Sequence, residues 1–109
     1  MSKKNCELVQ ETLEMPILKT LTLEPLHGYA IAIRIQQISE GVFRVGPGLL
    51  FPAFSRLESA GHIDSEWRAM EKDRRAKHHK LTCAGRKVLK LETHAWDRQT
   101  AALTRILEA

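Results

Sequence analysis

The sequence has few cysteines, few aromatic residues and no long hydrophobic run. Cys6 and Cys83 are the only cysteines, which is too few for a disulfide framework or a four-cysteine metal site, so we expect a reducing compartment. No apolar stretch reaches the roughly 20 residues of a membrane-spanning helix. Polar residues also interrupt the stretch after Lys3 and Lys4, where a signal peptide needs an apolar run. These absences predict a cytoplasmic protein with no membrane partner.

The sequence also lacks the residue patterns of common catalytic sites. It contains no glycine-rich nucleotide fingerprint, no zinc-motif spacing and no plausible catalytic triad. His78 and His79 lie close to Cys83, but neighbouring strand residues point to opposite faces, so only one histidine could join the cysteine. We therefore expect no enzymatic activity, cofactor or metal. A redox-reactive Cys83 stays open as a hypothesis, because a helix N-terminus stabilises a thiolate.

Basic residues are concentrated in one segment of the chain. The 109 residues include 17 Lys and Arg and 13 Asp and Glu, which gives a net charge of +4. The segment from Glu66 to Lys90 holds nine of the basic residues and three acidic ones, so it carries +6 and the rest of the chain carries −2. This excess of positive charge favours a polyanionic partner, although a solvated surface is the simpler interpretation.

Breaker residues and apolar periodicity divide the chain into five elements, of which the first two are helices. The first helix is predicted to begin near Leu13, because Pro16 is tolerated only in the first helical turn. Residues 1–11 are then an arm of undefined structure. The second helix is predicted from three isoleucines at helical spacing, Ile31, Ile35 and Ile38.

The middle of the sequence predicts a third helix and a two-stranded hairpin. Gly46, Pro47 and Gly48 open the helix, and Gly61 offers a left-handed C-cap. The apolar face of this helix consists of Leu50, Ala53, Phe54 and Leu57. The opposite arc consists of Gly48, Pro52, Ser55, Arg56 and Ser59. Residues 62–67 alternate in polarity as a strand, residues 77–81 can pair with them, and the charged residues 68–76 predict an exposed loop. Tyr29 and Trp67 are expected in the core or at its edge.

The last predicted element is a helix that is long for so small a protein. It begins after Thr82, a suitable N-cap, and reaches about Leu107. Apolar residues recur along it in two stripes, which on a protruding helix need a partner surface. The residues assigned to this dimer interface are Val88, Leu89, Leu91, Ala95, Trp96, Ala102, Leu103 and Ile106.

Short motifs occur in the order found in a known family. They are Leu26-His27-Gly28-Tyr29, Pro47-Gly48-Leu49-Leu50-Phe51-Pro52-Ala53, Arg56-Leu57-Glu58, Gly61-His62-Ile63, Arg75-Ala76-Lys77, Leu81-Thr82 and Gly85-Arg86. Through this ordered set the sequence from about Thr12 to Leu107 resembles the PadR family of bacterial transcriptional regulators. The predicted fold is mainly α with a small β-hairpin: a winged helix-turn-helix over residues 12–82 and a long dimerisation helix over residues 83–109.

The resemblance implies a homodimeric repressor that binds a pseudo-palindromic operator in double-stranded DNA. Its third helix would enter the major groove, while basic side chains of the hairpin contact phosphates. The residues assigned to DNA binding are Gly46, Pro47, Gly48, Ser55, Arg56, Lys72, Arg74, Arg75 and Lys77. Arg56 has an alternative role, an ion pair with Glu58 or Glu40. Leu49 and Phe51 stand where the family usually has a hydroxyl residue and a tyrosine, so two hydrogen bonds to DNA are expected to be missing.

Other interpretations of the same residues stay open. Trp96 is assigned to the dimer core, but the resemblance also implies an interface cavity for flat aromatic compounds in some relatives, where Trp96 would contact a small aromatic effector. A winged-helix protein that has lost DNA binding would instead be a dimerisation adaptor. A ligand- or thiol-responsive sensor is the third hypothesis.

Overall fold

Helices form most of the structure, a computed structural model that describes residues 6–7 and 10–109. The helices are α1 (Gln10–Thr20), α2 (Gly28–Ile38), α3 (Pro47–Ser59) and α4 (Cys83–Glu108). The strands are β1 (Cys6–Glu7), β2 (Leu26–His27), β3 (Phe43–Arg44), β4 (Ile63–Ala69) and β5 (Arg75–Leu81). β2, β5 and β4 form an antiparallel sheet with β5 in the middle, and β1 pairs with β3 in parallel.

Helix α1 begins earlier than the sequence predicts. It starts at Gln10, so Pro16 lies inside the helix rather than in its first turn. A proline there removes one backbone hydrogen bond, but packing offsets the loss: the side chains of Leu13, Ile17 and Leu18 are fully buried. Of the predicted arm, residues 1–5, 8 and 9 lie outside the described residues, and residues 10–11 belong to α1.

The hydrophobic core joins the first three helices to the sheet and to the start of α4. Its buried residues are Leu13, Ile17, Leu18, Leu21, Ile31, Ile35, Leu50, Ala53, Phe54, Leu57, Ile63, Leu81 and Leu89. The predicted apolar face of α3 is therefore confirmed. Two expectations were wrong: Tyr29 is 73% exposed and Trp67 is 60% exposed. Ile38, the last of the three isoleucines whose spacing predicts α2, lies at the end of that helix and is 68% exposed. Each of these exposed side chains lies on a helix or strand beyond the area that the neighbouring elements cover.

The hairpin has longer strands and a shorter turn than the alternating pattern predicts. β4 and β5 pair over seven residues each, from Ile63 opposite Leu81 to Ala69 opposite Arg75. The turn is closed by the Met70 N–H, which donates to the Arg74 carbonyl at 2.6 Å. Because the backbone already pairs at 68–69 and 75–76, the basic side chains there lie on an ordered β-ribbon. We call residues 63–81 the wing.

Helix α4 is anchored at its first turn. The Thr82 hydroxyl accepts a hydrogen bond from the Gly85 N–H at 3.0 Å, as predicted for an N-cap, and donates to the Gly61 carbonyl at 2.7 Å. Leu89 packs in the core of its own chain, which differs from its assignment to a dimer interface. Beyond Leu89 the helix continues for five turns with little cover from the described residues. No helix in the described part of the chain is long and apolar enough to cross a membrane.

Candidate nucleic-acid interface

The outer face of α3 is exposed because its other face fills the core. The exposed residues on this face are Pro47, Gly48, Phe51, Pro52, Ser55 and Ser59. Gly46 is the N-cap and has no side chain that could occupy the free N–H groups, and a Cβ at Gly48 would have no neighbour within 4 Å. The helix N-terminus is therefore open to close approach by an anion. The structure brings four of the predicted residues together here, Gly46, Pro47, Gly48 and Ser55.

Arg56 lies away from this face. Its Nε donates to Glu14 Oε2 of α1 at 2.6 Å, and both side chains are about two-thirds buried. The pair ties α3 to α1, which differs from the assignment of Arg56 to DNA. Neither Glu58 nor Glu40, the carboxylates considered from the sequence, is its partner. Glu14 is 42 residues away in the chain, so no local spacing could have indicated it.

The two substitutions that distinguish α3 from the family pattern occupy different environments. Leu49 is partly buried and packs against the core, whereas Phe51 is 63% exposed. The Phe51 ring meets Phe54 edge-on, with 6.2 Å between ring centroids. Only Phe51 therefore changes the chemistry of the outer face.

The wing presents basic side chains to solvent. Lys72, Arg74 and Arg75 are exposed and form no ion pair with a carboxylate of the described residues. The Arg75 guanidinium lies 5.7 Å from the centre of the Trp67 ring, a cation–π contact that extends the side chain along the wing. Lys77 differs from the other three, because its Nζ lies 3.7 Å from Glu58 of α3.

Three histidines hold the start of α2, the wing and α3 together. His27 Nδ1 accepts a hydrogen bond from the Ala30 N–H at 3.3 Å and so caps α2, and its ring meets His78 edge-on at 5.4 Å. His79 is buried with its ring 4.2 Å from that of Phe54. Burial lowers the pKa of His79 below its ordinary value of 6.5, so the ring stays uncharged near neutral pH. Sequence alternation separates His78 from His79 but gives no sign of these contacts.

The described residues do not bring metal ligands together. His79 faces the core and Cys83 is exposed at the start of α4. No group of three His, Cys, Asp or Glu side chains in the described part of the chain is placed to hold a metal ion.

A cleft joins α3, the wing and the start of α2. It has a volume of about 400 Å³. Its lining includes Tyr29 from α2, Phe51 and Ser55 from α3, and Trp67 and Lys77 from the wing. The exposed face of α3 and the strands of the wing therefore border one cleft. Lys72, Arg74 and Arg75, at and beside the turn of the wing, lie outside the lining of this cleft.

A groove of about 790 Å³, larger than this cleft, lies between α1 and α4. Its apolar floor contains Met15, Pro16 and Leu89, and basic side chains of α4 form one wall. Trp96 does not line this groove and is half-exposed elsewhere on α4. Trp96, the residue predicted to contact an effector, is therefore accessible to solvent in the single chain.

Comparison with known proteins identifies the family. The model of the transcriptional regulator PadR-like family matches residues 17–91. A transcriptional regulator from Clostridium thermocellum superposes with a TM-score of 0.78 at 25% identity, over 85% of this chain and 90% of that one. A PadR family regulator from Eggerthella lenta gives a TM-score of 0.76 at 28% identity, over 92% of this chain and 85% of that one.

A longer relative contains a similar sequence. A 37.1 kDa protein from a transposon of Streptomyces fradiae is 40% identical over 85 residues, which are 78% of this chain but 23% of the relative. This chain therefore spans about a quarter of the length of the curated relative it matches. The family match and the superpositions confirm the predicted winged helix-turn-helix fold. The chain belongs to the PadR-like family of transcriptional regulators.

Proposed function

We propose that this protein is a repressor that binds a pseudo-palindromic operator in double-stranded DNA as a homodimer. The observation that carries the proposal is the continuous surface formed by the outer face of α3 and the wing, which border one cleft. An exposed helix can reach base edges in the major groove, while basic side chains beside it contact the backbone. The family membership supports the same function.

The wing supplies the attraction to phosphate. Lys72, Arg74 and Arg75 have no carboxylate partner among the described residues, so their charges are available to DNA. The Lys77 Nζ lies 3.7 Å from the Glu58 carboxylate, which partly neutralises its charge, so Lys77 contributes less to the attraction of phosphate. The open N-terminus of α3 at Gly46 adds a further phosphate contact through free N–H groups.

Arg56 has a positioning role in this proposal. Its ion pair with Glu14 fixes the angle of α3 on α1, and Ser55 on the outer face makes the polar contact to a base edge. The outer face then contacts bases without Arg56.

Charge reversal in the wing tests the DNA-binding function. We expect Arg74→Glu with Arg75→Glu to weaken binding to DNA from upstream of the gene at least about tenfold and to flatten its salt dependence, since each lost phosphate contact removes about one unit of slope. Lys19→Glu with Lys90→Glu is the matched control, because it changes net charge equally at two exposed lysines outside the wing, α3 and the apolar stripe of α4. Fluorescence anisotropy over a salt series measures both pairs. Equal loss in the two pairs would contradict a contact through the wing, and absence of binding by the unmodified protein at low salt would favour an adaptor.

The dimer of this proposal forms along the outer part of α4. Large apolar side chains there are exposed in the single chain, and water contact over such a continuous stripe is unfavourable. These residues are Leu91, Trp96, Leu103 and Ile106, with Val88, Ala95 and Ala102 beside them. A second copy supplies a matching stripe, as symmetric association requires.

Truncation of one stripe residue tests the dimer. We expect Leu103→Ala to remove about 2–5 kcal/mol from coupled folding and association, since it leaves a cavity in the interface. Leu23→Ala is the control, because Leu23 is exposed on the loop after α1. Analytical ultracentrifugation and thermal denaturation at matched concentrations compare the two variants. An unchanged mass and melting temperature for Leu103→Ala would exclude this interface.

The effector site of the proposal lies at the same interface. Trp96 is 47% exposed in the single chain, so part of its ring is free to stack on a flat aromatic molecule held between two copies. Titration with planar aromatic dyes tests this through fluorescence, with Trp96→Leu as the variant that should lose the response and Trp67→Leu as the control.

A further inference from the structure

The outer face of α3 carries no charged side chain. The structure describes every residue of this helix, and its two charged residues, Arg56 and Glu58, are partly buried and already engaged. Arg56 pairs with Glu14, and Glu58 accepts a hydrogen bond from the Ser65 hydroxyl and faces Lys77. What this face offers to DNA is therefore apolar, apart from the hydroxyls of Ser55 and Ser59.

The major groove limits what such a face can recognise. Guanine is read mainly by Arg or Lys, adenine by Asn or Gln, and cytosine by Asp or Glu, and none of these side chains lies on the outer face of α3. The single apolar group that a base presents in this groove is the 5-methyl group of thymine. The hydroxyls of Ser55 and Ser59 can bond to the polar edge of any base, so they do not select one. The base that the apolar side chains of this face can select is therefore thymine.

Phe51 is the residue placed for this contact. It is the large apolar side chain of the outer face, 63% exposed and one turn before Ser55. Its edge-on contact with Phe54 holds the ring at the surface, because Phe54 already fills the core beneath it. Gly48 and Pro52 on either side are short and exposed, so a base pair can approach the ring closely.

We propose that Phe51 reads the 5-methyl group of a thymine in each half-site of the operator. The inference rests on the proposed function, since it needs α3 in the major groove. Phe51 then has a specificity-determining role. Its contact with the methyl group replaces the hydrogen bond expected from the hydroxyl of the tyrosine that the family usually has at this position. We expect operator affinity to depend on a methyl group and not only on base pairing.

Replacement of thymine by deoxyuridine tests the proposal, because it removes the methyl group and leaves every hydrogen-bonding group of the base. Duplexes selected from a random pool by the full-length protein are substituted one thymine at a time, and affinity is measured at constant salt. At one thymine of each half-site we expect a loss of about fourfold, the effect of one methyl group taken out of water. Phe51→Ala should bind the thymine and deoxyuridine duplexes equally well. Ser55→Ala, the matched control, should keep the difference.

The outcomes separate the two proposals. If the protein binds its selected duplex but no thymine shows a methyl effect, or if Phe51→Ala keeps the effect, the role of Phe51 is wrong and the DNA-binding function stands. If no duplex binds in a salt-dependent manner, the proposed function itself fails. Because Phe51 is exposed, circular dichroism should show Phe51→Ala to be folded, and Phe51→Leu, which retains an apolar side chain, should recover part of the methyl effect.

Discussion

Substitution of Gly85 by alanine has two opposing effects on the free energy of unfolding, a gain from helix propensity and a loss from packing. Gly85 lies in the first turn of α4 and is one of two buried residues in that helix. Propensity alone predicts that alanine stabilises a helix interior by about 1 kcal/mol. In the structure a Cβ at this position would lie 2.1 Å from the backbone oxygen of His62 and 2.8 Å from Leu81 Cδ1. The backbone oxygen cannot rotate away as a side chain could.

The magnitude follows from the displacement that this clash requires. A carbon and a carbonyl oxygen make contact at about 3.3 Å, so α4 must move by about 1 Å at its first turn. The shift strains the bonds that Thr82 makes to Gly61 and His62. Overpacking of this kind costs about 3 kcal/mol, and the propensity gain offsets about 1 kcal/mol of it. We expect a net loss of about 2 kcal/mol, which lowers Tm by about 8–12 °C.

Urea and thermal denaturation followed by circular dichroism measure this loss at fixed protein concentration. Gly48→Ala is the matched control, because Gly48 is also helical but a Cβ there would have no neighbour within 4 Å. It should be neutral or up to about 1 kcal/mol stabilising. A Gly85→Ala protein as stable as the unmodified chain would refute the placement of α4 against His62.

Three further perturbations probe contacts that hold α1, α3, α4 and the wing together beneath the proposed DNA-binding surface. Glu14→Gln and Arg56→Ala should couple by about 0.5–1 kcal/mol in a double-mutant cycle, because the pair is close but partly solvated, and additive effects would show that no such pair forms. Thr82→Ala should cost about 1 kcal/mol through loss of the α4 cap, measured by urea denaturation; an unchanged midpoint would argue against the bond to Gly85. Burial lowers the pKa of His79 below 6.5, so the unfolded chain binds a proton that the folded chain excludes. Stability from this residue is complete above pH 6.5 and falls as pH decreases toward the folded pKa, so between about pH 7.5 and 5.5 the melting temperature should fall further for the unmodified protein than for His79→Gln. Equal falls would exclude His79 as a cause.

Local patterns predicted the parts of the fold that depend on neighbours in sequence. The apolar spacing of α3 predicted which of its residues are buried. Gly61, with a φ of +79°, follows the end of this helix, and the His62 N–H donates to the Leu57 carbonyl at 2.9 Å. Thr82 likewise caps α4 through a residue close to it in sequence, since its side chain accepts a hydrogen bond from the Gly85 N–H. Each of these features needs residues within about five positions of one another, which a sequence displays directly.

Features that depend on distant residues were not predictable in this way. Leu89 and Trp96 are seven residues apart on α4, a spacing that places them on the same side of the helix, but the core ends between them, so Leu89 is buried and Trp96 is half-exposed. Strand β2 has two residues, too few to show alternation, and exists because His27 and Leu26 pair with β5. The partner of Arg56 likewise becomes visible only when α1 and α3 are packed together.

The shared hydrogen bonds of Thr82 have a mechanical consequence. One hydroxyl joins Gly61, just beyond the end of α3, to the first turn of α4, so the two helices are coupled directly although the wing lies between them in sequence. The 26 residues of α4 then form a rigid lever about 39 Å long. A tilt of about 5° at its base moves the far end by about 3 Å, and in a dimer a small rearrangement at the far end turns the base. In the dimer proposed above, any molecule that changes the angle between the two copies of α4 would therefore change the separation of the two α3 helices.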